Sequence, residues 1–276
     1  MSDYPTYAPP SAAEPAAETV EQAPSPLGEP EFPPLLTGHE IGADEDAFVR
    51  ATEGARAGRL EAGDFLWKRT RDAFDTAIVL EPDVPRARAA EFAFVAQVAF
   101  ADSFGAISPP EVALTFGWPN ALRLNGGRIG HLRLAISPED DADGAPLWMV
   151  AGLSLVVRHE RYDVEPGNMP DITTFEEEGC GDVDTIELIS SFARHLLVWI
   201  HTWSEDGFAA VHETYLFRAD GHKEDTELES GGQSASGTFM GLDENGGALI
   251  KRADGSMVAL PALPGLLAEP GIGTRS

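Results

Sequence analysis

A single turn in the middle of the chain constrains the fold most strongly. The pair Asn125-Gly126, followed by Gly127, separates Leu122–Leu124 from the alternating run Ile129–Ile136. Both central residues of a tight two-residue turn need positive φ angles, which asparagine and glycine adopt most readily. The pattern therefore predicts an antiparallel hairpin, with a bend at Trp118-Pro119 just before its first strand.

The remainder of the first 220 residues alternates between helical and extended patterns. The helical segments share apolar residues at three- and four-residue spacing, and the extended segments are short apolar or alternating runs. The predicted helices are Asp44–Gly58, Pro85–Phe104 and a segment from Asp184 to just before Gly207. The predicted strands outside the hairpin are Phe74–Leu80, Glu111–Phe116 and Trp148–Val157. We therefore expect an α+β domain over residues 33–222, in which a mixed or antiparallel sheet packs with helices.

The pattern changes after residue 222. Short extended runs at 226–230, 234–242, 248–252 and 256–260 are separated by turn sequences such as Asp243-Glu244-Asn245-Gly246. Short strands with tight turns are typical of a small β-barrel. We expect a β module over residues 223–268, followed by a flexible tail at 269–276. The predicted core of the β module is Met240, Leu242, Leu249, Ile250 and Val258.

The N-terminal segment has a composition that favours disorder. Residues 1–32 are rich in Pro, Ala and Glu, so they cannot bury enough apolar surface to offset their ordering entropy. Residues 1–34 also lack Lys, Arg and a continuous apolar run, which argues against a signal peptide. We predict a disordered acidic tail at 1–32.

Charge and cysteine content exclude several function classes. The chain has 19 Lys and Arg against 46 Asp and Glu, a net charge of −27. Such a field repels nucleic-acid phosphates and anionic lipid surfaces, so we expect neither nucleic-acid nor membrane partners. The single cysteine, Cys180, allows no intrachain disulfide, and the histidines show no metal-ligand spacing. We expect a cytoplasmic protein that holds no metal ion of its own.

The hairpin region resembles a known family. Trp118-Pro119-Asn120, the Asn-Gly turn, and a cation before Gly130 resemble the signature of the biotin and lipoate protein ligases. Ala121 replaces the family's aspartate, and Arg128 stands at the position of its lysine. The resemblance implies that Arg128 acts on the ligand and phosphate during formation of an acyl adenylate. Arginine stays protonated, so it could stabilise negative charge but could not serve as a base.

Further segments extend the resemblance over most of residues 35–262. The strand around Gly152 is similar to the family's pocket strand, and residues 236–250 are similar to the C-terminal SH3-like module of biotin protein ligases. The implied substrates are ATP with Mg²⁺ and either biotin or lipoate. The implied partner is a biotin- or lipoate-accepting carrier domain. The ligand-binding residues it implies are Trp118, Asn120, Gly130 and Gly152.

One family element is missing from the sequence. Biotin ligases carry a Gly/Arg-rich loop around the ligand, and its place here, Gly63–Asp75, has no Gly-rich run. Lys68, Arg69 and Arg71 remain beside Trp67. They could hold a phosphate as side-chain donors, or form a solvated basic turn before a strand; the sequence favours neither interpretation.

A second catalytic candidate is Cys180, which glycines flank on both sides. Octanoyltransferases of the same superfamily use a cysteine nucleophile, and residues 168–181 are weakly similar to their motif. The acidic neighbours Glu176–Glu178 and Asp182 would disfavour a thiolate. Three hypotheses follow: an ATP-dependent ligase that acylates a carrier lysine with biotin, lipoate or octanoate, a Cys180-dependent acyltransferase, and a ligand-binding member without turnover.

Overall fold

The computed structural model describes residues 27–158 and 171–267. In chain order its helices are α1 (Ala47–Arg56), α2 (Glu91–Gly105), α3 (Thr185–Asp206), α4 (Phe208–Arg218) and α5 (Leu263–Leu267). Its strands are β1 (Thr37–Ile41), β2 (Asp64–Lys68), β3 (Ala73–Leu80), β4 (Leu114–Gly117), β5 (Ala121–Leu124), β6 (Gly127–Ile136), β7 (Met149–Val156), β8 (Asp225–Ser230), β9 (Gln233–Leu242), β10 (Ala248–Lys251) and β11 (Met257–Leu260).

The first seven strands form one mixed sheet in the order β1-β2-β3-β7-β6-β5-β4. The β1–β2 pair is parallel, and every other neighbouring pair is antiparallel. Helices α2 and α3 pack together against one face of this sheet, and α1 packs against the other. The predicted fold class, a mixed sheet packed with helices and followed by a small β module, is confirmed.

The central hairpin forms as its turn sequence predicts. Asn125 and Gly126 have φ angles of 48° and 92°, and β5 and β6 pair on either side of them. A β-bulge follows, because Leu122 pairs with Gly130 whereas Arg123 pairs with Arg128. Ile129 is the extra residue, and its side chain is buried in the large core.

Two element boundaries differ from the prediction for local reasons. The helix predicted from Pro85 begins as a short 3₁₀ turn at Arg86–Arg88, and α2 itself starts at Glu91. The strand predicted from Glu111 starts at Leu114, because the Val112 N–H bonds the Pro109 carbonyl and closes a turn there. Helix α2 is buried almost all round, since it lies between the sheet, α3 and α4.

The C-terminal strands form a four-stranded antiparallel sheet in the order β11-β10-β9-β8, compatible with a small SH3-like barrel. Phe239, Leu242 and Ile250 of this sheet belong to the same continuous core as α2 and α3. Met240 was predicted in the module core, and this is wrong: it is 43% exposed. The cause is a bulge, since Leu249 pairs with Gly241 and Ile250 with Phe239, which leaves Met240 outside the ladder.

The N-terminal part of the described chain lies against the main domain. Phe32 packs on Phe65 with ring centroids 5.4 Å apart, and the Glu31 N–H bonds the Ser190 hydroxyl at 3.0 Å. Residues 27–32, which the sequence assigned to the tail, thus contact the domain. The rest of the predicted N-terminal tail (1–26), residues 168–170 of the Cys180 motif and the whole predicted C-terminal tail (269–276) lie outside the described residues.

Candidate active site

A row of polar residues crosses the centre of the large sheet. Asp75 pairs with Ser154, and Ser154 pairs with His131, so the three lie side by side on β3, β7 and β6. Their neighbours along the strands, such as Phe74 and Leu132, point into the core under α2 and α3. Because side chains alternate along a strand, the polar row faces the opposite side, which α1 covers only in part. We call Asp75, Ser154 and His131 the polar row.

The start of α1 borders this row and is fixed by a shared carboxylate. Asp46 is the N-cap of α1, and its Oδ1 accepts hydrogen bonds from the Val49 N–H at 2.9 Å and from Arg133 Nη2 at 2.8 Å. The Arg133 guanidinium also lies over the Phe48 ring, 4.6 Å from its centroid. The Arg133 side chain is therefore held in one position beside the row.

Lys68 and Asp75 form a nearly buried ion pair at the other end of the row. Lys68 Nζ lies 3.2 Å from Asp75 Oδ2, with side-chain exposures of 17% and 7%. Burial raises the pKa of Asp75, and the charge of Lys68 opposes that shift. A backbone hydrogen bond from Ala47, at the start of α1, opposes the shift as well.

His131, at the centre of β6, is kept neutral by its surroundings. Burial, and after it the charges of Arg133 and Arg128, lower its pKa to about 4. The ring is therefore uncharged at neutral pH, and it can offer a nitrogen lone pair.

Three arginines cluster on this face of the hairpin. Arg123 lies directly opposite Arg128 in the β5–β6 register, and Arg133 lies further along β6. Arg123 is partnered by Asp220 at 3.4 Å, whereas the exposed Arg128 guanidinium has no ion-pair partner among the described residues. Like charges directly opposite on neighbouring strands are unfavourable unless an anion offsets them. We call Arg123, Arg128 and Arg133 the arginine cluster.

The polar groups of Trp118 and Asn120, which the sequence predicts to meet Arg128 in a pocket, bond to the backbone in this structure. The Trp118 ring is buried in the large core, and its Nε1 donates to the Gly246 carbonyl at 2.9 Å. The Asn120 amide donates to the Leu132 carbonyl at 3.1 Å. Both polar groups are thus used by the fold, because the bend before β5 turns Trp118 toward the C-terminal sheet.

Close packing requires glycine at the two positions predicted to line the pocket. A Cβ atom on Gly130 would lie 2.1 Å from the Ser154 carbonyl oxygen, and one on Gly152 would lie 2.8 Å from the Phe48 Cβ. Gly130 lets β6 and β7 approach at the bulge, and Gly152 lets α1 approach the sheet.

The cations of Gly63–Asp75 do not act as one group. The segment is a hairpin with only the four residues 69–72 between β2 and β3, so it has no room for a long ligand-wrapping loop. Arg69 is tied to Glu29 at 2.6 Å and Glu40 at 2.7 Å, and stacks on Trp67. Arg71 lines a separate polar cleft of about 160 Å³. Lys68 alone reaches the polar row.

Cys180 lies in an environment that suits packing rather than nucleophilic chemistry. Its side chain is 1% exposed and belongs to the large core. Burial raises the pKa of the thiol, and the carboxylates of Glu178 and Glu111 raise it further. The thiol is therefore protonated at neutral pH.

Sequence reasoning missed five residues of this site: Asp46, Asp75, Arg123, His131 and Arg133. One available signal was Asp75, a charged residue inside an otherwise apolar strand, which needs a partner if it is buried. The others became recognisable only when the strand register was known, because their partners lie on different elements.

The comparisons with known proteins identify the family. A model described as the Biotin/lipoate A/B protein ligase family matches residues 32–217. A curated relative, the biotin–[acetyl-CoA-carboxylase] ligase of Paracoccus denitrificans, is 31% identical over 224 residues, 80% of this chain and 90% of that protein. The chain therefore belongs to the biotin/lipoate A/B protein ligase family.

Solved structures agree with this assignment. A biotin protein ligase-like protein of unknown function from Silicibacter sp. TM1040 is 38% identical, with a TM-score of 0.75 over 87% of this chain and 99% of that one. A biotin protein ligase from Aquifex aeolicus in complex with biotin has a TM-score of 0.65 over 83% of this chain and 96% of that one. At 16% identity, that second likeness shows the fold alone. Within the described residues, no helix has the length and hydrophobicity needed to cross a bilayer.

Proposed function

We propose that this protein is an ATP-dependent ligase that activates biotin, lipoate or octanoate and transfers the acyl group to a lysine of a carrier domain. The observation that carries the proposal is the arginine cluster: the exposed Arg128 lies opposite Arg123 on the hairpin, and Arg133 lies further along the same strand, in a chain whose net charge is −27. A site of this kind suits an anion such as MgATP or an acyl adenylate. The curated relative, named a biotin ligase, supports the same reaction class.

The chemistry of activation suits arginines. A carboxylate oxygen of the acid attacks the α-phosphorus of MgATP, the bond to the β-phosphate bridge breaks, and pyrophosphate leaves with the electron pair. The acid is already deprotonated at neutral pH, so no base is needed in this step. Arg128 can stabilise the charge that develops on the phosphate, and its replacement of the family lysine is compatible with that role.

The transfer step uses the adenylate as an activated acyl group. The amine of the carrier lysine attacks the acyl carbon, the bond to the phosphate oxygen breaks, and AMP leaves while the amine proton passes to solvent. His131 adds no charge of its own to this site, because its ring is neutral at neutral pH. The balance of positive charge there depends on the arginines.

The Cys180-dependent alternative is not supported by the geometry. The buried, protonated thiol would have to leave the core before it could attack an acyl donor. The second alternative, binding without turnover, follows from the short β2–β3 hairpin, and the pyrophosphate-exchange assay described below decides it.

A cytoplasmic location remains a prediction.

Exchange of labelled pyrophosphate into ATP tests the proposal. We expect exchange that depends on the presence of biotin, lipoate or octanoate, and that is lost in Arg128→Ala but retained in Cys180→Ala. Transfer of the acyl group to a purified carrier domain in the presence of ATP would complete the reaction. Binding of an acid without exchange would favour the non-catalytic alternative, and acyl transfer lost in Cys180→Ala would favour the cysteine mechanism.

A further inference from the structure

The backbone of Arg128 is bonded to a segment outside the central hairpin. The pairing of β6 with β7 begins only at Gly130, so β7 is not paired with Arg128. Residues 171–173 lie there instead and form an isolated parallel bridge with the strand. The Arg128 N–H donates to the Asp171 carbonyl at 2.9 Å, and the Arg128 carbonyl accepts from the Thr173 N–H at 3.0 Å. Both backbone polar groups of Arg128 thus bond to this segment.

This support matters because Arg128 lies next to a β-bulge. The β5–β6 register shifts between Leu122 and Arg123, and Ile129 is the extra residue. A bulge disrupts the regular ladder and bends the strand, so the local backbone depends on its other contacts. The arginine side chain is long, and a small rotation at its Cα displaces the guanidinium by a larger distance. A displacement of about 1 Å at a reacting group can cost about 100-fold in rate.

One carboxylate connects the segment to the tip of the hairpin. Glu178 Oε1 accepts a hydrogen bond from the Thr173 hydroxyl, and Glu178 Oε2 accepts one from Asn125 Nδ2, both at 2.7 Å. We call these two hydrogen bonds the Glu178 bridge. The segment and the tip also pack closely, since a Cβ atom on Gly127 would lie 2.6 Å from Thr173 Cγ2. The Glu178 bridge therefore links the turn before the arginine with the segment that holds the arginine backbone.

The negative charge of Glu178 makes two explanations separable. A carboxylate near an anion site repels the anion, so removal of that charge alone would strengthen the binding of a phosphate compound. Loss of the Glu178 bridge acts in the opposite direction, because it frees the backbone that positions Arg128. Hydrogen bonds to a charged group are stronger than those between neutral groups, which gives the bridge its weight. The sign of the change thus tells whether the carboxylate acts through its charge or through its hydrogen bonds.

We propose that Glu178 is a positioning residue: its hydrogen bonds to Asn125 and Thr173 hold Arg128 where the guanidinium meets the phosphate of the acyl adenylate. This inference rests on the proposed function and adds to it a residue that lies outside the large sheet. In this role Glu178 makes no contact with the adenylate and acts only through Arg128. The asparagine of the hairpin turn then serves twice, since it adopts the positive φ angle of 48° and also donates to the bridge.

Calorimetric titration of the full chain with a non-hydrolysable biotinyl adenylate analogue tests the proposal. Glu178→Ala should weaken binding by about 3- to 10-fold, less than Arg128→Ala does, because the guanidinium is misplaced but keeps its charge. The same substitution in the Arg128→Ala background should change the affinity by no more than about twofold, since no guanidinium is left to position. In pyrophosphate exchange, Glu178→Ala should lower kcat and leave the KM for the acid within about twofold.

Glu176→Ala is the matched control, because it removes the same charge from an exposed side chain two residues away that takes no part in the bridge. It should bind the analogue within about twofold of the wild type. Thr173 offers a second pair of variants. Thr173→Val removes the hydroxyl and should weaken binding as Glu178→Ala does, whereas Thr173→Ser keeps the hydroxyl and should retain binding. This pair decides the question if Glu178→Ala does not fold.

The outcomes separate this inference from the proposed function. Glu178→Ala with the affinity of the wild type would overturn the positioning role, and tighter binding would show that only the charge of Glu178 acts. An equal loss in the wild-type and Arg128→Ala backgrounds would also overturn it, since Glu178 would then act independently of Arg128. Each of these results leaves the ligase proposal standing. If the wild type does not bind the analogue, the proposed function itself fails and this inference fails with it.

Discussion

Trp118 donates its indole N–H to the backbone carbonyl of Gly246, 2.9 Å away and 128 residues further along the chain. The bend before the central hairpin is thereby joined to the turn between β9 and β10. Pro119 next to it contacts the C-terminal segment as well, since a Cβ on Gly265 would lie 3.1 Å from its Cγ. A segment whose sequence resembles a ligand-binding motif thus holds the large sheet and the C-terminal sheet together.

This contact predicts the effect of Trp118→Phe. The variant keeps most of the buried ring but removes the N–H donor. The free energy of unfolding should therefore fall by about 1 kcal/mol in addition to the loss caused by the smaller ring. Trp148→Phe removes the same atoms at a half-buried indole that has no hydrogen bond among the described residues, and serves as the control. Urea denaturation measures both, and equal losses in the two variants would contradict the role of the bond.

The His131 environment predicts a pH dependence of stability. Its folded-state pKa is lowered from 6.5 to about 4, so between these pH values the unfolded chain binds more protons than the folded one. Stability from this group is therefore complete above pH 6.5 and is lost as the pH falls toward 4. Between pH 7 and pH 4.5 the wild type should lose about 2 kcal/mol more than His131→Gln.

Denaturation curves of the two proteins at pH 7 and pH 4.5 check this difference. His201→Gln, at an exposed position on α3, controls for the general effect of removing a histidine. If wild type and His131→Gln lose the same stability on acidification, His131 is not held neutral by its surroundings.

The Cys180 environment predicts an unreactive thiol. Because the side chain is buried and the pKa of the thiol is raised, the native protein should react with a thiol reagent at least 100-fold more slowly than the urea-unfolded chain. Cys180→Ala should retain the acid-dependent pyrophosphate exchange. Rapid labelling of the native protein at neutral pH would show that the thiol is accessible, and would reopen the cysteine mechanism.

Local sequence signals were sufficient for much of the fold. Turn chemistry at Asn125-Gly126 and the N-cap Asp184, whose carboxylate accepts from the N–H groups of Ile186 and Glu187, specified their elements without help from distant residues. For the same reason, each end of the four C-terminal strands was predicted to within one residue. Met240 was misplaced because a bulge depends on the partner strand and is invisible in a single strand's alternation.

The site could be predicted only in part. The sequence pointed to Arg128 and Lys68, since a resemblance or a charge cluster marks them. It could not show that Lys68 pairs with Asp75, or that Arg133 is held by Asp46, because those contacts depend on how β2, β3, β6 and α1 come together. Conversely, Trp118 and Gly152 look like ligand contacts in a motif, whereas their surroundings show that the fold itself requires them.

The most direct test of the account is calorimetric titration with a non-hydrolysable biotinyl adenylate analogue. The proteins are the wild type, Arg128→Ala, Arg128→Lys and, as a charge-matched control, Arg252→Ala in the exposed turn between β10 and β11. We predict that Arg128→Ala weakens binding by about 1.5–3 kcal/mol, the cost of losing a charge-assisted hydrogen bond, and that the other two variants bind like the wild type. Equal affinity of wild type and Arg128→Ala would place Arg128 outside the site and contradict the assignment of the arginine cluster to the adenylate.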